Sequence, residues 1–177
     1  ISAGYGINKK DNWVYLMQQK FYEEGNSIKL INSSVSGDTT GGGLGRLAKN
    51  LKKFRPDFVL IELGGNDALR GYSIKLIKNN LEKMIALIKQ NNSKVLLMQI
   101  RIPPNYGQKY MLAFEKIYKD LALSEEVYLL PFMLEEIGIN SELMQPDGIH
   151  PNKKAQSLIA KDVKKNIDKF LLINQSN

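Results

Sequence analysis

The stretch Phe58-Val59-Leu60-Ile61-Glu62-Leu63 decides the fold class of this chain. It is a nearly continuous apolar run, which is typical of a β-strand that is covered on both faces. Residues 94–99 and 127–130 predict further strands, and residues 27–32 predict a short one. Segments whose apolar residues recur at helical spacing separate these strands. The sequence therefore predicts an α/β fold with a parallel sheet.

Five amphipathic segments predict the helices that cover this sheet. The clearest carries Ile77, Leu81, Ile85 and Ile88 at helical spacing. The others centre on residues 13–21, 44–54, 110–121 and 152–170. Regular alternation of strands and helices predicts a three-layer α/β/α sandwich around a central parallel sheet, formed by a single domain over residues 1–177.

The composition limits the classes of partner and cofactor. The 177 residues are 43% apolar and include one histidine and no cysteine, so disulfides and thiolate metal sites are excluded. No clustered ligand set predicts a metal ion or another cofactor. The net charge of +7 comes mainly from lysines spaced as on the solvated faces of helices. We therefore expect no nucleic-acid partner, whereas transient contact with an anionic lipid or membrane surface is compatible with this charge.

The single histidine lies in Asp147-Gly148-Ile149-His150-Pro151. A carboxylate three positions before an imidazole can orient its Nδ1–H and leave Nε2 free as a general base. Two glycine turns follow other apolar runs, in Ser36-Gly37-Asp38-Thr39 and in Gly64-Gly65-Asn66-Asp67. The backbone N–H of Gly37 and the side-chain amide of Asn66 are groups of the kind that form an oxyanion hole. Together with the Asp-His pair, they call for a nucleophile.

These segments, in this order, resemble the SGNH (GDSL) hydrolase family. Gly37, then Gly64-x-Asn66-Asp67, then Asp147-x-x-His150 are similar to its second, third and fifth sequence blocks. Residues 63–71, 98–103 and 147–152 are most similar to the bacterial thioesterase I / lysophospholipase L1 / arylesterase group. The resemblance implies the flavodoxin-like fold of that family. It also implies a serine esterase or thioesterase that acts, without a cofactor, on lipid-like acyl esters or thioesters such as acyl-CoA, lysophospholipids or aryl esters.

The same resemblance assigns roles to individual residues. It makes Asp147 and His150 catalytic, and it places Gly37 and Asn66 in the oxyanion hole. The family's first block is Gly-Asp-Ser, usually followed by an apolar residue and Ser-Ala-Gly-Tyr. This chain opens with Ile1-Ser2-Ala3-Gly4-Tyr5, so the nucleophilic serine is expected immediately before Ile1. A first strand that ends in Gly-Asp-Ser is expected there as well.

Two loop-like segments, residues 69–72 and 102–107, are similar to the substrate loops of that group. An acyl groove must be apolar with few polar anchors, and Leu69, Ile102 and Pro104 are apolar residues that could line one. Ordinary packing of the loops is the alternative. Gly41-Gly42-Gly43-Leu44-Gly45 lacks the Gly-Lys-Ser/Thr of a phosphate-binding loop, so it predicts a flexible turn that leads into a helix.

Several alternatives stay open at the level of the sequence. Ser2, Ser34 and Ser36 are alternative nucleophiles by residue type, although Ser2 follows the expected nucleophile by two positions and Ser36 precedes the oxyanion glycine. A catalytically silent acyl- or lipid-binding domain and a carbohydrate esterase of the wider family are alternative functions. The resemblance suggests a periplasmic or secreted protein, with a cytoplasmic one as the alternative. A monomer or a small homo-oligomer is expected.

Overall fold

Two compact units make up the chain. The first comprises Ile1–Ser36 and Met133–Asn177, and the second comprises Gly37–Phe132. The computed structural model describes residues 1–175. None of the helices that these residues form combines the length and the apolar character of a membrane-spanning segment. The single domain expected over residues 1–177 stays a prediction.

A parallel sheet forms the centre of the second unit. Its strands are β1 (Phe58–Ile61), β2 (Lys94–Met98) and β3 (Tyr128–Leu130), in the order β1-β2-β3. Val59 pairs with Val95 and Leu97 pairs with Leu129. The predicted α/β class with a parallel sheet is confirmed.

The three strands differ in burial because they differ in position. The central strand β2 is buried from Val95 to Met98. In β1, at one edge of the three-stranded sheet, Phe58, Val59 and Leu60 are only half-buried and Ile61 is fully buried. The expected strand is present, but only Ile61 is covered as the apolar run predicts. An edge strand lacks the second neighbour that shields a central strand.

Four helices belong to the second unit: α2 (Thr40–Phe54), α3 (Gly65–Leu69), α4 (Ile74–Gln90) and α5 (Gln108–Ser124). The hydroxyl of Ser73 caps α4 by accepting a hydrogen bond from the Leu76 N–H. The predicted stripe on α4 is confirmed, because Ile77, Leu81, Ile85 and Ile88 have no exposed surface. Burial of this stripe supplies most of the stability of the helix.

The glycine-rich segment lies inside α2 and not in a turn before it. α2 begins at Thr40, where the side chain of Thr39 caps it by accepting from the Gly42 N–H at 3.2 Å. A Cβ at Gly43, which is buried, would overlap the side chain of Leu63. Glycine at position 43 is unfavourable for a helix by itself, but it lets α2 pack closely against Leu63, which follows β1.

The first unit contains α1 (Trp13–Glu23) and α6 (Lys153–Gln175), which pack against each other. The side chain of Asn12 caps α1, as predicted, by accepting from the Val14 N–H at 2.9 Å. The Gln156 side chain of α6 accepts from the backbone N–H of Trp13 at 3.1 Å in the buried interface. The shared core of the two helices includes Met17, Phe21, Ile159, Val163 and Ile167.

Residues 27–32 do not form the predicted strand. The amide of Gln18 binds their backbone instead, because its Nε2 donates to the Ile28 carbonyl at 2.9 Å and its Oε1 accepts from the Leu30 N–H at 2.6 Å. Backbone groups that a side chain satisfies in this way do not need a neighbouring strand.

Candidate active site

The Asp147–His150 turn is a compact hydrogen-bonded unit in the first unit of the chain. Asp147 Oδ2 lies 2.8 Å from His150 Nδ1. The other carboxylate oxygen, Oδ1, accepts from the backbone N–H groups of Ile149 at 2.9 Å and His150 at 3.0 Å. Gly148 has φ +66°, which lets the chain turn tightly between the two side chains. The carboxylate therefore fixes both the turn and the imidazole.

The same hydrogen bonds set the charge of Asp147. The backbone N–H groups of His150 and Ile149, together with the His150 side chain, lower the pKa of the Asp147 carboxyl to about 2. Asp147 is therefore a carboxylate at neutral pH and accepts a hydrogen bond from Nδ1–H, which leaves the lone pair of Nε2 available. Nε2 makes no hydrogen bond with the residues that the structure describes. An imidazole oriented through Nδ1, with Nε2 free of partners within residues 1–175, has the arrangement that a general base needs.

Two further residues support this turn, and neither was predicted. The ring of Tyr5 packs on the imidazole of His150, with 4.7 Å between the ring centroids. Gln145 joins the N-terminal segment to the turn, because its Nε2 donates to the carbonyl of Tyr5 at 2.8 Å and to that of Pro151 at 3.1 Å. Tyr5 belongs to the Ser2-Ala3-Gly4-Tyr5 sequence that resembles the family's first block, which is the signal that could have drawn attention to it.

The Gly37 and Asn66 segments meet in the second unit. Gly37 has φ +72° and is exposed, and the Arg70 guanidinium donates to its carbonyl at 3.0 Å. Asn66 is the second residue of α3 and is half-buried. Within residues 1–175, neither the N–H of Gly37 nor the side-chain amide of Asn66 makes a hydrogen bond. Both donors are therefore available to an oxygen atom of a ligand.

The turn that carries Asn66 rests on a buried tyrosine. The hydroxyl of Tyr118, which has no exposed surface, donates to the Leu63 carbonyl at 2.8 Å. Burial, and secondarily the negative charge of Asp67, raise the pKa of Tyr118 well above its usual range, so it stays a donor. Gly64 has φ +114°, and a Cβ there would overlap the Tyr118 hydroxyl. Glycine is required at this position on both grounds.

We expect Gly64→Ala to destabilise the protein by about 2–5 kcal/mol, because backbone strain and overlap with Tyr118 add together. Urea unfolding followed by circular dichroism measures the change. Gly71→Ala is the matched control, since Gly71 has φ +71° but no atom lies within 4 Å of the added Cβ. That variant should lose about 1 kcal/mol. Equal losses in the two variants would contradict a role for the Tyr118 contact.

The three residues predicted to line an acyl groove differ in exposure. Ile102 is almost fully buried, Leu69 is half-buried at the end of α3, and Pro104 is exposed at the start of a short 3₁₀ turn, Pro104–Tyr106. The Tyr110 hydroxyl donates to the Tyr72 carbonyl at 2.6 Å and so ties the loop after α3 to α5. The part that these residues play in substrate binding stays a prediction.

No group of three or more His, Cys, Asp or Glu side chains within residues 1–175 is placed so that it could hold a metal ion. Asp38 is paired with Arg46, which contacts its Oδ2 through Nε at 2.9 Å and Nη2 at 2.7 Å. Asp67 contacts Thr40, and Asp147 contacts His150. Each of these three carboxylates is thus engaged with protein donors of its own unit.

Comparison with known proteins decides the family. Residues 1–158 match the model of the GDSL-like lipase/acylhydrolase family. The chain belongs to this family. An arylesterase of Vibrio mimicus is 47% identical over 171 residues, which are 97% of this chain and 86% of the relative. The thioesterase 1/protease 1/lysophospholipase L1 of Escherichia coli is 44% identical over 90% of this chain and 76% of its own length.

Solved structures of the family agree with this assignment. The crystal structure of the psychrotrophic esterase EstA from Pseudoalteromonas sp., inhibited by monoethylphosphonate, superposes with a TM-score of 0.94 and is 42% identical. The match covers 96% of this chain and 93% of that one. The crystal structure of AlinE4, an SGNH-hydrolase family esterase, superposes with a TM-score of 0.78 at 34% identity. The predicted GDSL-like family and the predicted class of enzyme, a hydrolase, are confirmed.

Proposed function

We propose that this GDSL-like hydrolase is a serine esterase or thioesterase that cleaves small acyl esters or thioesters with His150 as its general base. The observation that carries the proposal is the Asp147–His150 pair, in which a carboxylate 2.8 Å from Nδ1 leaves Nε2 free. Relatives whose names are arylesterase and thioesterase 1/protease 1/lysophospholipase L1 support oxygen and sulfur esters as the two substrate classes. Lipid-like acyl groups are the substrates that we favour within these classes.

The reaction has two halves. A serine hydroxyl attacks the acyl carbonyl while His150 Nε2 takes its proton, and the tetrahedral intermediate then collapses to an acyl-enzyme. The leaving alcohol or thiol receives that proton from His150. Water repeats the sequence on the acyl-enzyme, so that the carboxylic acid leaves and the serine is restored. Asp147 stabilises the imidazolium that forms in each half and holds the ring in the required tautomer.

The oxyanion of each tetrahedral intermediate needs donors that are not already engaged. We propose the backbone N–H of Gly37 and the Asn66 side-chain amide for this role, because each makes no hydrogen bond within residues 1–175. Donors fixed before the reaction are worth more than mobile ones, since no reorganisation is needed when charge develops. The hydrogen bond from Arg70 to the Gly37 carbonyl supports such fixation.

We propose that the nucleophile is a serine immediately before Ile1. The packing of Tyr5 on His150 supports this position, because it holds the N-terminal segment beside the base. Ser2 is a poorer candidate, since it is 95% buried and the Asn12 and Asn32 side chains bind its carbonyl at 3.2 and 2.7 Å.

Leu69, Ile102 and Pro104 are the residues that we propose to contact the acyl group, because they are apolar and lie in the two loop-like segments at residues 69–72 and 102–107. Transient contact with an anionic lipid surface would suit the net charge of +7. A monomer or a small homo-oligomer is sufficient for this reaction, because every residue assigned above comes from one chain.

We expect Asn66→Ala to lower kcat by roughly 10²–10³ with little change in KM, because the lost donor acts mainly on the transition state. Steady-state hydrolysis of p-nitrophenyl esters by the full-length protein measures both constants. The amide of Asn79, which is exposed on α4, provides a control variant, Asn79→Ala, that should leave both constants unchanged. A change confined to KM would instead place Asn66 in substrate binding.

A further inference from the structure

A buried carboxylate without a step in this reaction lies next to Asn66. The Asp67 side chain has no exposed surface. Its Oδ2 accepts from the backbone N–H of Thr40 at 2.8 Å, and its Oδ1 accepts from the Thr40 hydroxyl at 2.5 Å. Thr40 is equally buried. Asp67 therefore directs both of its oxygens at one residue that lies 27 positions away in the sequence.

Asn80 determines which group donates in the hydrogen bond between Thr40 and Asp67. Its Nδ2 donates to the Thr40 hydroxyl oxygen at 3.0 Å, so the hydroxyl proton is left for Asp67. The three residues Asn80, Thr40 and Asp67, here called the Thr40 clamp, form a chain of donors that ends on the carboxylate. Buried hydrogen bonds to a charged acceptor are stronger and more directional than exposed neutral ones.

The backbone also stabilises the charge of Asp67. Thr40 is the first residue of α2, whose 15 residues give its N-terminus a partial positive charge. Within residues 1–175, no Lys or Arg pairs with Asp67. The Asp67 carboxylate is therefore stabilised by Thr40 and by the N-terminus of α2. Loss of these partners would leave a buried charge unsatisfied.

We propose that Asp67 is a positioning residue that holds the two oxyanion donors at a fixed separation. It follows Asn66 directly on α3, and its partner Thr40 follows Gly37 by three residues. The Arg70–Gly37 hydrogen bond joins the same two segments but is exposed, so the Thr40 clamp is the stronger tie. This inference rests on the proposed function, which gives Gly37 and Asn66 their role.

Asp67→Asn tests the proposal in the full-length protein. An amide has one acceptor oxygen, so the variant cannot accept from both the N–H and the hydroxyl of Thr40 as the carboxylate does. We expect kcat to fall about 10–100-fold, because small displacements of catalytic groups carry costs of this order. KM and the pH profile should stay close to those of the wild type, since Asp147 and His150 are not altered.

Substitutions of Thr40 test the same network from its other side. Thr40→Ser keeps both donors and should restore kcat to within about threefold of the wild type, whereas Thr40→Val removes the hydroxyl and should lower kcat as Asp67→Asn does. Ser93→Ala is the structural control. Ser93 is also buried, and its hydroxyl donates at 2.6 Å to the Pro56 carbonyl beside the start of β2. We expect that variant to lower Tm but not kcat.

A double-mutant cycle separates the possible outcomes. If Asp67 acts through Asn66, Asp67→Asn should lower kcat less than threefold further in an Asn66→Ala background. An unchanged kcat in Asp67→Asn, or an equal loss in both backgrounds, would overturn the inference and leave the proposed function standing. An unchanged kcat in Asn66→Ala would instead refute the oxyanion role itself. If Asp67→Asn does not fold, Thr40→Val replaces it, and its effect on kcat is compared in the same way in the wild-type and Asn66→Ala backgrounds.

Discussion

His150→Ala is expected to lower kcat for ester hydrolysis by roughly 10⁴–10⁶, because the serine hydroxyl loses the group that removes its proton. The residual rate should reflect the oxyanion donors alone. Hydrolysis of a p-nitrophenyl ester by the full-length protein, measured under saturating substrate, gives the change. Retention of more than about a tenth of the wild-type rate would exclude His150 as the base.

The fold should survive this substitution. The backbone N–H groups of Ile149 and His150 still bind Asp147 Oδ1, and the imidazole that is removed packs on the ring of Tyr5, which is itself exposed. Thermal unfolding followed by circular dichroism provides the control for the fold.

Labelling by a fluorophosphonate probe, which reacts with an activated serine, provides a second control. The probe should label the wild-type protein rapidly and the His150→Ala variant slowly. Mass spectrometry of the labelled peptide then identifies the nucleophile, and labelling at Ser2 or Ser36 would contradict a serine before Ile1.

Asp147→Asn is expected to lower kcat by roughly 10³–10⁴ while preserving the turn. The amide oxygen can still accept from the N–H groups of Ile149 and His150, as Oδ1 does now. Its NH₂ group then faces Nδ1, which must become an acceptor, so the proton moves to Nε2 and blocks the base. Asp147→Ala, which removes the hydrogen bonds of the turn as well, should lose more stability than Asp147→Asn. Comparable activity of Asp147→Asn and the wild type would refute this assignment.

The pKa of Asp147 adds a dependence on pH that can be measured. Its value in the folded protein, about 2, lies below the usual 3.8, mainly because the backbone N–H groups of His150 and Ile149 bind the carboxylate, so the ionised carboxylate favours folding above pH 3.8 and this effect is lost as the pH falls through 2. The difference in unfolding free energy between wild type and Asp147→Asn should therefore shrink as the pH falls from about 4 towards 2. A difference that instead grew in acid would contradict the lowered pKa.

Local sequence determined much of this protein. The apolar stripe of α4 and the Asn12 cap of α1 depend on residues within a few positions of each other, and so does the Asp147–His150 contact, which spans three residues. Interactions over such distances have a periodicity or a motif that can be read directly. The α/β class followed in the same way from the alternation of helical and strand-like patterns.

Only the tertiary structure decided the rest. Gln18 binds the backbone of residues 28–30, which form no strand, and the glycine at position 43 lets α2 approach Leu63. Asp67 shows the same limit, because its partner Thr40 lies 27 residues away and Asn80 lies 40 residues beyond Thr40. Contacts between residues so far apart leave no periodic pattern in either segment. They form only when packing brings the segments together and each buried polar group must find a partner.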